Sequence, residues 1–412
     1  MTHLKLIVIM TTLLAGLLLL PACEDFVQGV DDPIDTANPA SVQTEDQMQF
    51  FMDGVRGRFH ITHDVTVVIA EGLSDALVFD QRASDATFPT FRDIDEGDIV
   101  PDNNSVDGPF NQVGRARFLA EELLTTAAAI DFEDADLERE VTFTGNIYSG
   151  LSYFYFASYY GLTPDQQGSP VDGGPFQSAP ELYATAIQKF TTALNNAPSA
   201  YFERVANSLI GRTHVYLGDF GTAQSFLEAG LVAGDAPFQS EHSLESQNAF
   251  NAQAGRSRNQ FTVDPRFADF IDENPEEANR IQIETLPEGE LAAGFEDAIV
   301  WRQFKYEAPD NIDIISWQEN NLLLAELDLQ GVGVGSTARE LIDEVRVSHE
   351  ISPLDAGATV DIDLLLEERD KELWLTANRL IDQRRYDRWH LGAGTWQWFP
   401  ITQNERNENE NL

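Results

Sequence analysis

Two segments of this chain repeat one order of small, aromatic and turn residues, and that order limits the fold more than anything else in the sequence. Ala186, Phe190, Ala193 and Pro198 in AIQKFTTALNNAP make the second half of one copy. Ile210 and Gly211, then Gly218-Asp219-Phe220 and Ala223, give the first helix and turn of the next, 37 residues on from Ala186 to Ala223. Small residues at the closest crossing let two antiparallel helices approach. An aromatic fills the adjoining hole, and proline ends the unit. Such units bury their apolar faces only by stacking.

The order and the period, near ~34 residues, resemble the tetratricopeptide repeat. The rest of the chain points the same way. Gln47 to His60 opens with Met48, Phe51 and Val55 at helical spacing, Arg115 to Ile130 is strongly patterned, and IYSGLSYFYFASYYG (147–161) reads as an aromatic-rich helix whose stripe belongs in the core. Residues 80–112 read as one long polar loop bearing Gly and Pro. Residues 162–178 read as a connection, and 236–300 as acidic and loop-rich. With 412 residues, 42% of them hydrophobic, the chain can bury a large core. The expected fold class is all-α, mainly helical.

The start of the sequence carries a separate signal. Leu6–Leu20 is an apolar run too short to span a bilayer, and it ends in Leu20-Pro21-Ala22-Cys23. This is similar to a bacterial lipobox, which predicts a signal peptide over 1–22 and diacylglycerol on Cys23. Cys23 is the only cysteine, so no intrachain disulfide forms. Three acyl chains at ~0.8 kcal/mol per buried methylene would anchor the chain stably. Glu24 and Asp25 resemble the surface-export signal of Bacteroidetes-type lipoproteins, and 23–42 reads as a flexible tether.

Charge excludes some partners. The chain carries 69 acids against 26 bases, a net −43, and only four of its bases are lysines. Such a surface repels nucleic acid and anionic headgroups. It stays hydrated where salt screens self-repulsion, which fits a high-salt habitat.

From Trp301 on, a family pattern is legible. WRQFKY (301–306) precedes IDIISWQENNLLLAEL (312–327), in which Trp317, Glu319, Leu322, Ala325 and Glu326 fit a helix of the form x-W/Y-x-E-x-x-L-x-x-A-E. STARELIDEVRVSHEIS (336–352) matches A-x-x-L-I-N-x-V-R with Asp343 in place of Asn. Residues 364–389 match E-R-x-x-E-L-x-x-E-G-x-R-x-x-D-L-x-R through Glu368-Arg369, Glu372-Leu373, Arg379, Asp382 and Arg385, but not at Thr376, Ala377 or Gln383. FPITQNERNEN (399–409) matches F-P-I-P-x-x-E-x-x-x-N, with Thr402 for the second proline. Together these blocks resemble the SusD/RagB family of nutrient-uptake lipoproteins. The resemblance implies a SusD-like fold in two parts on one core, 43–235 with the helix-pair repeats and a loop-rich 236–412. Read on its own, 364–389 is one helix whose charges pair at i+3 as structural clamps.

The resemblance further implies a lipid-anchored outer-membrane protein facing the cell exterior. It would capture an oligosaccharide or peptide and act as the lid of a SusC-like TonB-dependent transporter, with the repeat face toward the transporter. No catalytic residue and no cofactor is expected. A surface glycan-degrading enzyme and a structural repeat adaptor remain the alternatives. Three chemical signals are weak. His60, His63 and Asp64 lack a further metal ligand at sensible spacing. Gly331-Val-Gly-Val-Gly335 follows a helix and lacks the G-K-[ST] ending of a phosphate loop. Asp102–Gly108 fails calcium-loop spacing and reads as a turn. The six tryptophans cluster between Trp301 and Trp398, but Trp301, Trp317 and Trp374 sit in scaffold blocks. Ligand contacts are therefore expected on the long loop, at Phe88, Phe91, Asn103 and Asn104, where aromatic faces and amides suit a sugar.

Overall fold

Helical spacing in the sequence becomes helix almost throughout. The computed structural model describes residues 44–412, so the apolar leader, Cys23 and the 23–42 tether lie outside the described residues. The first half contains α1 (Met48–Leu73), β1 (Leu77–Val78), α2 (Pro89–Asp95), α3 (Asn104–Ala127), α4 (Ala135–Tyr159), β2 (Tyr160–Thr163), β3 (Gln166–Ser169), β4 (Gln177–Ser178), α5 (Ala179–Asn195), α6 (Ala200–Tyr216) and α7 (Phe220–Glu228). There follow β5 (Phe238–Ser240), α8 (Ala249–Gln253), β6 (Thr262–Val263), α9 (Arg266–Glu273), β7 (Ile283–Thr285), β8 (Trp301–Gln303) and β9 (Ile312–Ile315). The chain continues through α10 (Trp317–Leu329), α11 (Ala338–Ser348), α12 (Ile362–Glu372), α13 (Asn378–Arg385), β10 (Phe399–Pro400) and α14 (Gln403–Glu408).

The repeat reading explains how the helices meet. α4 packs on α5, α5 on α6 and α6 on α7. α5 begins where Ser178 donates its N–H to Glu181 Oε2 at 2.8 Å, with Pro180 in the first turn. Its Leu182, Ala186, Phe190 and Ala193 are all fully buried along one stripe. Gly150 of α4 is what admits Phe190: a Cβ there would lie 2.6 Å from the ring. Gly211 admits Leu227 in the same way, again at 2.6 Å. Burying each such large side chain contributes roughly 1.5–3 kcal/mol.

Three short sheets clasp the helices. β1, β6, β8 and β7 form an antiparallel set, β5 pairs with β9, and β10 lies parallel to β2 with Phe399 beside Tyr160, ahead of β3 and β4. Thus residues 399–400 pair with residues 160–161 from the first half of the chain.

Two expectations fail here. The 80–112 segment is not one loop, because it holds α2 and the start of α3. Asn103 caps α3 through Ser105 N–H at 2.9 Å, so Asp102–Gly108 opens a helix, and Pro109 sits inside it. Nor is 364–389 one helix. The chain breaks between α12 and α13, where Leu375 and Ala377 both adopt φ +64°. Ala377 stands where the family pattern has glycine, the residue that takes this conformation without strain.

That break also redirects the charges. Arg369, 1% exposed, grips Asp382 with two bonds of 2.7 and 3.1 Å across the turn. Arg379 reaches back to Asp75 at 2.6 Å, and Arg280 to Glu368 at 2.7 Å. Only Arg385 and Asp382 pair at i+3. The clamps are structural, but most bridge distant segments rather than one helix face. The same holds for two acids of the α10 block: Glu319 faces Arg212 at 3.4 Å, and Glu326 takes Arg385 and the Tyr386 hydroxyl.

Candidate functional site

A cleft of about 540 Å³ opens where α1, α2, α3 and α8 meet, and three of the four residues expected to touch ligand line it: Phe88, Phe91 and Asn104. Its apolar lining comes from Val65, Val68 and Ile69 of α1 and Ala249 of α8, with the Gln253 amide of α8 beside them. Phe88 is the exposed aromatic at the rim, 42% accessible. The Arg258 guanidinium lies 4.5 Å from its ring centroid, a cation–π brace. Phe91 is buried edge-on against Phe261 at 5.0 Å and backs the cleft. Asn104 is exposed.

Asn103 does not face the cleft. Its carbonyl oxygen caps α3 and its amide donates to Thr90 O at 3.0 Å, so the side chain is fully engaged in tying the 88–91 segment to α3. Thr90 Oγ1 and Ser105 Oγ add a bond of 2.8 Å. On the other side, buried Gln260 accepts the N–H groups of Thr87 (3.3 Å) and Phe88 (3.1 Å) and donates to Asp85 O. Phe88 is therefore held from both flanks by buried amides rather than carried on free chain. Neither Gln260 nor Arg258 carried a readable signal. Both come from the 236–300 stretch, where no periodicity reports which residues turn inward.

The His60-His63-Asp64 trio is committed to the core. His63 contacts the Tyr155 hydroxyl and, at 3.2 Å, Asp313 O, while His60 accepts Glu241 N–H at 3.1 Å. Burial pushes His63 down to about 3 and His60 to about 4. Burial raises the Asp64 carboxyl to about 7, although it accepts Val65 N–H and Ala249 N–H. Among the described residues no group of three or more His, Cys, Asp or Glu is arranged to hold a metal ion. Nor is any described helix long and apolar enough to cross a membrane. Trp317 and Trp374 are buried, Trp301 is half-buried, and no tryptophan lines the cleft.

This arrangement of helix pairs and small clasping sheets is the SusD-like fold. A "Laminarin binding SusD-like protein" matches at TM-score 0.69 and 16% identity, over 90% of this chain and 98% of that one. Surface glycan-binding protein A from Bacteroides uniformis matches at TM-score 0.68 and 15% identity, over 90% and 99%. The Bacteroides thetaiotaomicron protein of that name, in complex with laminarihexaose, matches at TM-score 0.66 and 12% identity, over 89% and 98%. No family model and no curated protein matches the sequence.

Proposed function

We propose that this chain is a cell-surface glycan-binding protein of the SusD/RagB type. It would be anchored in the outer membrane through acylated Cys23 and would deliver an oligosaccharide, or a peptide, to a SusC-like TonB-dependent transporter whose mouth it covers. The observation that carries the reading is the SusD-like fold along about 90% of the chain, combined with an apolar-lined cleft whose rim presents Phe88. Sugar rings have one apolar face, and an aromatic ring fixed at a cleft mouth offers the matching surface. None of the lining residues belongs to α5, α6 or α7. This supports a reading in which ligand binds away from the helix pairs, whose face would meet the transporter. The protein acts by binding, without turnover.

The test is affinity electrophoresis of the purified protein in gels containing laminarin and a panel of other polysaccharides, alongside a reducing-sugar assay. Retardation without release of reducing ends, weakened by Phe88→Ala, is expected. Release of reducing ends would favour a glycan-degrading enzyme, and failure to bind any saccharide or peptide would favour a structural adaptor. Incorporation of labelled fatty acid, lost in Cys23→Ser, tests the anchor.

A further inference from the structure

A second cleft, about 520 Å³, runs along α1 and α3 and shares no lining residue with the one that Phe88 borders. Its charge is unlike the rest of the molecule. The chain has 69 acids for 26 bases, and most described basic side chains have a carboxylate within ion-pair distance. Arg58 and Arg115, both lining this cleft, have none. Arg58 donates to Gln112 Oε1 at 3.1 Å, a neutral partner that leaves its charge uncompensated, and exposed Arg115 makes no side-chain bond.

Two carboxylates also line the cleft, against the three guanidiniums of Arg58, Arg115 and Arg117. Asp172 is taken by Arg117, and Glu405 accepts Asn409 Nδ2 at 2.8 Å. Beside the free guanidiniums stands Phe118, 56% exposed and three residues from Arg115, hence on the same face of α3. Gly114 keeps the floor open, since a Cβ there would meet nothing within 4 Å.

We propose that this cleft is a second sugar site, specific for acidic oligosaccharides: Arg58 and Arg115 hold the carboxylate of a uronic acid while Phe118 lies under a ring face. A guanidinium matches a planar carboxylate through paired N–H donors, and an exposed aromatic ring next to it selects a sugar that carries both a carboxylate and an apolar face. In so acidic a protein, an anion would be drawn only to a place where positive charge is left uncompensated. The inference does not rest on the Phe88 cleft.

The test is titration calorimetry of the full chain at low ionic strength with tetragalacturonate and tetramannuronate, with galactotetraose as the neutral control. At least one uronate is expected to bind, at least about tenfold more tightly than the neutral sugar. Arg115→Ala and Phe118→Ala should each weaken it about tenfold, and Leu244→Ala, at an exposed side chain in neither cleft, should leave it unchanged. Gly114→Leu, which fills the floor and favours helix, should also block it. Circular dichroism checks that the variants fold. Failure of both uronates to bind, equal binding of the neutral sugar, equal competition by polyglutamate, or indifference to Arg115→Ala and Phe118→Ala would each overturn the assignment.

Discussion

Glu71 offers a quantitative test of how the core is assembled. It is 1% exposed, near the end of α1, and its Oε1 accepts the N–H of Ala377 in the break between α12 and α13, while Oε2 has no partner. Burial pushes this carboxyl from 4.5 up to about 7, against the opposing pull of the Ala377 N–H. The folded state therefore keeps a proton that the unfolded chain has lost between those two values. Stability from this group is present at low pH, declines as pH rises from 4.5 to about 7, and is level above that. Each pH unit in this interval is worth about 1.4 kcal/mol, so the full decline is about 3 kcal/mol. Glu71→Gln imitates the protonated acid: its carbonyl accepts the same N–H, and its amide replaces the acid O–H. The variant should exceed the parent by less than about 1 kcal/mol at pH 5 and by about 3 kcal/mol at pH 8, measured by urea unfolding at constant ionic strength. Buried groups that do not feel the Glu71 charge cancel from the difference. If the two stability curves run parallel from pH 5 to 8, the carboxyl is ionised in the fold and the reasoning fails.

Three further outcomes are expected. Ala377→Gly should raise stability by about 0.5–1 kcal/mol, because it removes the left-handed strain at φ +64° and keeps the N–H that binds Glu71; thermal melting reads it. Arg369→Met should cost about 3–5 kcal/mol by leaving Asp382 buried with its main partner gone, and chemical denaturation measures this. Asn103→Ala should cost about 1 kcal/mol through the lost cap, and should weaken glycan binding although Asn103 touches no ligand, because Thr90 O is released; affinity electrophoresis of the folded variant checks the second effect.

The helix pairs were legible because their signal is local. Ala186, Phe190, Ala193, Pro198 and Gly211 fall in order within one repeat length, and Phe190 then met Gly150 as small-against-large packing requires. The break at 373–377 was hidden by residue type, since Leu375 and Ala377 are strong helix formers held in left-handed geometry by contacts such as Glu71, far away in sequence. The missing glycine at 377 was the available clue. Residues 80–112 were read as loop because Pro89, Gly97, Gly108 and Pro109 punctuate them, yet Pro89 starts a helix and Pro109 is tolerated inside one. At the cleft, aromatics and amides could be picked out by chemistry. Asn103 turns inward to bond Thr90 O, 13 residues away, while Gln260 and Arg258 come to meet Phe88 through tertiary contacts spanning more than 150 residues.

The pairing of β10 with β2 makes the molecule a closed loop in the topological sense, its clasp assembled from segments 160–161 and 399–400. Arg384 reinforces the clasp through the Ser158 and Gln397 carbonyls, and Arg406 through Leu162 O. A chain halted during synthesis before residue 399 would leave Tyr160 and Phe399's pocket open to water, however well its helix pairs had stacked. The clasp is thus one of the long-range contacts that can form only once the whole chain is available.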